Sequence, residues 1–265
     1  MTITDASTPT LIEEIALERS APVNLRDLGG TRVEGGEIRP GFAIRADDLS
    51  YVTDEIAADL VEAGLTSVID LRSNVETRIT GRGPLADHAV TYHHVSLLGD
   101  MRGAVSKEDF RSGDYRATYV PMYVGMFEAG APLIVNALAV MATAPGTVAF
   151  HCAAGKDRTG VLAASLLLAL GADDDAIVED YGRTGPNVGA IMARSRAVVG
   201  PMMKAMGIEL DPAALAAGEQ RFSDEAMRGA LAVLRERHDG DALAPVRRAG
   251  LSDALVDMLR ARALG

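Results

Sequence analysis

The chain has 265 residues, 48% hydrophobic and 24% charged, with 27 Gly and 11 Pro, which excludes a disordered, collagen-like or fibrous protein. Aromatics are only 4% and Trp is absent, so Ala, Leu, Val, Ile and Met must fill the core, a usage that suits packed helices. Lys and Arg number 26 against 37 Asp and Glu, a formal charge of -11 that repels nucleic acid and anionic membrane, so an anionic ligand needs a local positive feature.

The amino terminus carries Asp5 and no basic stretch ahead of an apolar run, so no secretory signal is expected and the reading is a cytoplasmic protein. Residues 31 to 46 place two β-compatible segments around Gly35-Gly36, a hairpin signal, with Pro40-Gly41 as a second break. Thr53, followed by Asp54 and Glu55, predicts a capped helix ending at Gly64. The run Ser67 to Leu71 predicts a strand, and Val90 to Leu97 a second. Residues 114–129 and 131–143 carry apolar positions at helical spacing, with Pro121 and Pro132 as breaks or first-turn residues.

Thr147 to His151 predicts a buried strand, followed after one short loop by a helix from Thr159 to Leu170 that closes at Gly171. The longest uncharged apolar run, Thr159 to Ala172, falls short of the roughly 20 residues a membrane helix needs, so no span is expected. From Asp173 onward helical periodicity covers 174–182, 187–206, 223–238 and 251–263. The expected fold class is α/β, a central mostly parallel sheet flanked by helices. Residues 1–265 read as one domain, with 184–265 a helical carboxyl-terminal part that either covers a pocket or completes the core.

The chemistry concentrates in His151-Cys152-Ala153-Ala154-Gly155-Lys156-Asp157-Arg158-Thr159-Gly160. A strand, a short glycine-bearing loop and an apolar helix present an anion site at a helix amino terminus. Successive backbone N–H groups converge there on one point, and Ala153, Ala154 and Gly155 keep side chains out of the concavity. The helix dipole and the Arg158 guanidinium add positive charge, and a bound phosphate lies over the only sulfur nucleophile, Cys152. The same features favour its thiolate, a nucleophile. Thr159 is placed to donate to the sulfur. The alternative, a buried structural thiol, leaves the Gly, Arg, Thr and Gly at these offsets without a reason.

These residues resemble the signature loop of the bacterial cysteine-dependent protein-tyrosine phosphatases. Upstream, Asn24-Leu25-Arg26-Asp27, Arg39-Pro40-Gly41 with Arg45, and Asp70-Leu71-Arg72-Ser73 resemble further motifs of that family in the same order. Residues 46 to 48, Ala-Asp-Asp, depart from its pattern. The resemblance implies a phosphatase-like core and a phosphomonoesterase with a phosphocysteine intermediate on Cys152, no metal and no cofactor, acting on a phosphorylated protein or a phosphoinositide. Relatives with Gly-Lys in the loop accept phosphoinositides as well as phosphotyrosine, which makes Lys156 a candidate contact to further anionic groups.

Two carboxylates compete for protonating the leaving oxygen, Asp157 inside the loop and Asp100 in a loop after a predicted strand. Arg26 and Asp27 are candidates for the pocket mouth or, equally, for an ion pair that closes a turn. Asp173 to Asp175 read as helix capping and a solvated face rather than a metal site, and His88, His93 and His94 as packing or surface groups. A silent phosphate-binding module and a rhodanese-like sulfur carrier are the competing readings; the presence of both Cys152 and Arg158 disfavours the first, and the Arg-Thr-Gly continuation the second.

Overall fold

Alternation along β7 (Thr147–His151) sends Val148 and Phe150 to one face of a sheet and Ala149 to the other, dividing the core into two layers. The computed structural model describes residues 18–97, 115–205 and 222–265. Its main sheet has the order β1 (Arg26–Asp27), β4 (Ala43–Ala46), β7, β5 (Leu65–Asp70), β6 (Thr91–His94). The last four run parallel and only the edge strand β1 is antiparallel, so the α/β expectation holds. A separate hairpin pairs β2 (Arg32–Val33) with β3 (Gly36–Glu37).

The smaller layer packs α1 (Asp54–Glu62), capped by Thr53, against Ile44, Val68 and Ala149. The larger layer holds α3 (Tyr115–Ala129), α4 (Ala131–Thr143) and α5 (Asp157–Leu170), the last apolar on every side and buried almost throughout. Gly171 closes α5 with a left-handed φ of 84°. Pro121, a candidate helix break, sits inside α3, whereas Pro132 takes the first turn of α4.

Beyond α6 (Asp174–Gly182) lie α7 (Val188–Ala205), α8 (Glu225–Arg237), α9 (Ala244–Arg248) and α10 (Asp253–Leu264). Helices α8 to α10 bury Met227, Leu231, Val246 and Leu259 in the same core as Phe150 and Leu166, so their apolar faces complete that core. Helices α9 and α2 (Asn74–Thr80) and the edge strand β1 have no counterpart in the sequence-based expectation. No single described helix is long and apolar enough to cross a membrane; α3 and α4 pass that test only together, bent by 71°, and bury Phe127 and Leu138 in the core.

Candidate active site

The central strand β7 ends between β4 and β5, where ligands gather in open parallel sheets, and its last residue leads directly into Cys152. Three polar groups then shape the loop by taking its carbonyls outward. Ala153 O accepts from Asp48 N at 3.3 Å, and Gly155 O accepts from Arg45 Nη2 at 2.9 Å and from Asn24 Nδ2 at 3.1 Å. Ala154 O receives a longer contact from the same Asn24 amide at 3.5 Å. In a trans peptide C=O and the following N–H point opposite ways, so the N–H groups of Ala154, Gly155 and Lys156 face inward. None of those three N–H groups joins another group among the described residues. Gly155 makes this possible: its φ is 62°, and a Cβ there would lie 2.4 Å from Ala46 O of β4.

Arg158 opens the first turn of α5 and turns back beside this concavity. Its Nη1 and Nη2 donate to Glu76 Oε2 and Oε1 at 2.7 and 2.8 Å, a two-point clamp that fixes the guanidinium plane. Burial alone would weaken the Arg158 charge, but Cys152 and Glu76 outweigh it and raise its pKa. Burial likewise opposes ionisation of Glu76, yet Arg158 and the Ser73 contacts hold it down at about 2. Ser73 N–H donates to Glu76 Oε2 at 2.7 Å and Ser73 Oγ accepts from Glu76 N at 3.3 Å, a capping box that starts α2 and aims its carboxylate. Cys152 is buried, 1% exposed, and the Thr159 hydroxyl is buried with no partner among the described residues.

On the other flank Lys156 Nζ donates to Asp157 Oδ1 at 2.8 Å and to Tyr115 Oη at 3.0 Å, and lies 4.0 Å from the centre of the Tyr119 ring. Tyr123 Oη also donates to Asp157 Oδ1, at 2.6 Å. Thus the loop and first turn bring Cys152, Ala153, Ala154, Gly155, Lys156, Asp157, Arg158 and Thr159 together, while Lys156 points at carboxylate and phenols. Asp100 lies outside the described residues.

Arg26 and Asp27 do not join them. Arg26 Nε donates to Asp180 Oδ1 at 2.9 Å and its Nη1 to Asn24 Oδ1 at 2.7 Å; Arg45 also pairs with Asp180. Burial and the neighbouring Arg45 pull Arg26 down to about 10. Asp27 accepts from Gly29 N at 2.8 Å and Gly41 N at 2.6 Å, tying two turns. Arg26 and Asp27 do not form the expected ion pair with each other: Asp27 closes turns through backbone amides while Arg26 pairs with Asp180, and through Asn24 and Arg45 these contacts brace the loop from behind.

The divergent residues Asp47 and Asp48 are buried in that brace. Asp47 accepts from Val23 N, Asn24 N and Arg194 Nη1 of α7, the last at 2.6 Å. Asp48 pairs with Arg72, which also grips Asp70, and His151 lies 3.8 Å from both carboxylates. Asp173 caps α6, and Asp174 and Asp175 pair with Arg235 and Arg228.

Residues 17–265 match a family model described as the tyrosine phosphatase family. The chain is 30% identical to the triple specificity protein phosphatase PtpB of Mycobacterium tuberculosis over 91% of this chain and 96% of that protein. It is also 30% identical to a tyrosine-protein phosphatase of Nostoc commune, over 52% of this chain and 46% of that one. A loop with unpartnered N–H groups between a buried cysteine and an arginine held by Glu76, and a sequence match that runs from its bracing segments to the last helix, lead to one assignment: the chain belongs to the tyrosine phosphatase family and is a phosphatase.

Proposed function

We propose that the protein hydrolyses phosphotyrosine through a phosphocysteine intermediate on Cys152, without a metal or cofactor. The observation that carries this reading is the outward anchoring of the loop carbonyls at Ala153 and Gly155, which turns the following N–H groups, unpartnered among the described residues, to the opposite side of the loop that begins at Cys152. Cys152 Sγ attacks phosphorus in line; the S–P bond forms as the P–O bond to the leaving phenol breaks. The equatorial oxygens rest on the N–H groups of Ala153 to Lys156 and on Arg158, whose plane Glu76 has already set. The orphaned Thr159 hydroxyl supplies a hydrogen bond to the sulfur when it leaves as thiolate. Water then cleaves the thiophosphate, releasing inorganic phosphate and restoring the thiolate.

Two carboxylic acids stand as donors to the leaving oxygen, Asp100 and Asp157, and the acidic limb of the pH–rate profile in Asp100→Asn and Asp157→Asn separates them. The mycobacterial relative is named for triple specificity. In this chain Lys156, the candidate contact for a second phosphate, is paired with Asp157, which supports phosphotyrosine ahead of phosphoinositides. Helix α7, tied to Asp47 by Arg194, is the part of residues 184–265 we assign to a cover over the pocket.

The test is phosphate release from a phosphotyrosine peptide and from a phosphoinositide in parallel, with wild type and Cys152→Ser, in EDTA. Turnover that survives EDTA, vanishes in the serine variant and favours the peptide supports the reading. Loss in EDTA, survival in the variant, or preference for the lipid overturns the corresponding part.

A further inference from the structure

Four of the six tyrosines gather beside Lys156, in a chain whose aromatic content is 4%. Three come from one stripe of α3, at Tyr115, Tyr119 and Tyr123, spaced by four; Tyr181 comes from α6. Three of their hydroxyls close a ring. Tyr123 Oη and Tyr181 Oη lie 2.6 Å apart, Tyr181 Oη and Tyr115 Oη 3.0 Å, and Tyr115 Oη accepts from Lys156 at 3.0 Å. Asp157 Oδ1 joins the two ends.

The direction of every proton in the ring follows from its two termini. Tyr123 donates to the carboxylate, so its oxygen accepts from Tyr181. Tyr181 has then spent its only proton and accepts from Tyr115, which in turn accepts from the ammonium. Within this ring the donors therefore run from Lys156 to Asp157, directly and through three phenols. Burial opposes the charge on Lys156, but Asp157 outweighs it and holds the ammonium pKa well above its ordinary value. Burial and Asp157 likewise raise Tyr123, and burial raises Tyr181, so both phenols stay protonated donors. Tyr119 and Arg158 are the other titratable groups facing the pair, and Arg158 is engaged by Glu76.

We infer that Tyr115, Tyr181 and Tyr123 are positioning residues of the phosphatase reaction, acting through the Lys156–Asp157 pair to hold the loop that cradles phosphate, with Asp157 serving as the ring's acceptor and not as the proton donor. The inference rests on the phosphatase reading for its kinetics, but the cradle itself is measurable without turnover. Asp157 Oδ1 already accepts from an ammonium and a phenol, the place of an acceptor in this ring. It also has a fixed place, one residue ahead of Arg158, from which the backbone entering α5 is set.

The experiment compares wild type with Tyr123→Phe, Tyr115→Phe, Asp157→Asn and Asp157→Ala, all checked for folding by thermal midpoint. Three readouts are taken: affinity for inorganic phosphate, kinetics on a phosphotyrosine peptide across pH, and tyrosine emission, which no Trp obscures. Losing a hydrogen bond to a charged group predicts that Tyr123→Phe weakens phosphate affinity and kcat/KM together by roughly tenfold, with the acidic limb kept and the emission changed. Asparagine still offers an acceptor oxygen, so Asp157→Asn retains more phosphate affinity than Asp157→Ala and keeps the acidic limb.

Wild-type phosphate affinity and kinetics in a folded Tyr123→Phe overturn the inference. So do Asn and Ala variants that are equally inactive, bind phosphate normally and have lost the acidic limb, since that is the behaviour of a proton donor. If Tyr123→Phe does not fold, Tyr115→Phe, at the half-buried end of the ring, carries the same test with a smaller loss of roughly threefold. A wild-type protein that binds phosphate and shows the ring effect but turns over no phosphotyrosine leaves the inference standing and sinks the phosphatase reading on that substrate.

Discussion

The two cations of the loop that follows Cys152, Lys156 and Arg158, are held in opposite ways. Arg158 meets one carboxylate, Glu76, through two parallel hydrogen bonds, and Glu76 is itself aimed by the start of a seven-residue helix. Lys156 is spread over Asp157 and a chain of phenols. Arg158, the cation we assign to the phosphoryl group, is fixed by a planar, two-point partner, with Nη1 also reaching Leu71 O at 3.4 Å. The cation turned away from the cradle is neutralised next door. Removing a supporting member therefore has different consequences on the two flanks: losing Glu76 strands a buried charge, whereas losing a phenol on the Lys156 side shortens a network that still has its direct ion pair.

The largest effect should come from Glu76→Ala. Removing one partner of a buried ion pair costs about 3 to 5 kcal/mol, and the freed guanidinium loses its set plane, so both unfolding free energy and kcat/KM should fall steeply. The pH dependence carries the sign. Glu76 ionises at about 2 in the folded protein against an ordinary 4.5, so the unfolded chain binds the extra proton between those values. Its contribution is fully present above about 4.5 and disappears as pH falls towards 2, and Glu76→Gln should remove that part of the acid sensitivity, measured by urea unfolding across this range.

Gly155→Ala leaves both flanks intact and attacks the turn between them. With φ at 62° and Ala46 O 2.4 Å from the new Cβ, the loop must shift, and phosphate affinity should drop by about tenfold or more in a titration. Arg194→Ala leaves Asp47 buried with only the Val23 and Asn24 amides as donors. The expected loss is about 2 to 3 kcal/mol in thermal or urea unfolding, with a smaller effect on phosphate binding because the brace reaches the loop only through Asn24.

The Arg158–Glu76 clamp was half legible. The loop itself announces its chemistry because Cys152 to Thr159 are adjacent in sequence, and the strand and helix on either side have strong, opposite periodicities. Helix α2 is short and has little apolar pattern, so periodicity passes over it; the signal that finds it is Ser73-x-x-Glu76, a capping box written in four residues. The tyrosine stripe at 115, 119 and 123 is readable as one face of a helix, but nothing local says that Tyr181, 58 residues beyond Tyr123, closes the ring. The same holds for Arg26 and Asp180, separated by 154 positions and joined only by the packing of α6 against the sheet edge. Asp47 and Asp48 depart from the family's pattern, and nothing local names their partners; both are buried and each pairs with an arginine, Arg194 and Arg72.

The finest test of the two-flank comparison is a double-mutant cycle between Glu76→Gln and Tyr123→Phe, read in phosphate affinity. The two side chains share no hydrogen-bond partner: Glu76 contacts Arg158 and Ser73, whereas Tyr123 contacts Asp157 and Tyr181. The one thread between them is the charge of Asp157 acting on Arg158, and it is weaker than that of Glu76. Tyr123→Phe removes a dipole and no charge, so that thread survives the substitution. The coupling should stay within about 0.5 kcal/mol of additivity. A coupling above about 1 kcal/mol would mean that the flanks are not separate devices, and that the loop between Cys152 and Arg158 responds to both as one rigid body. In that case Asp157→Asn with Glu76→Gln should couple more strongly still, because it removes the shared charge itself.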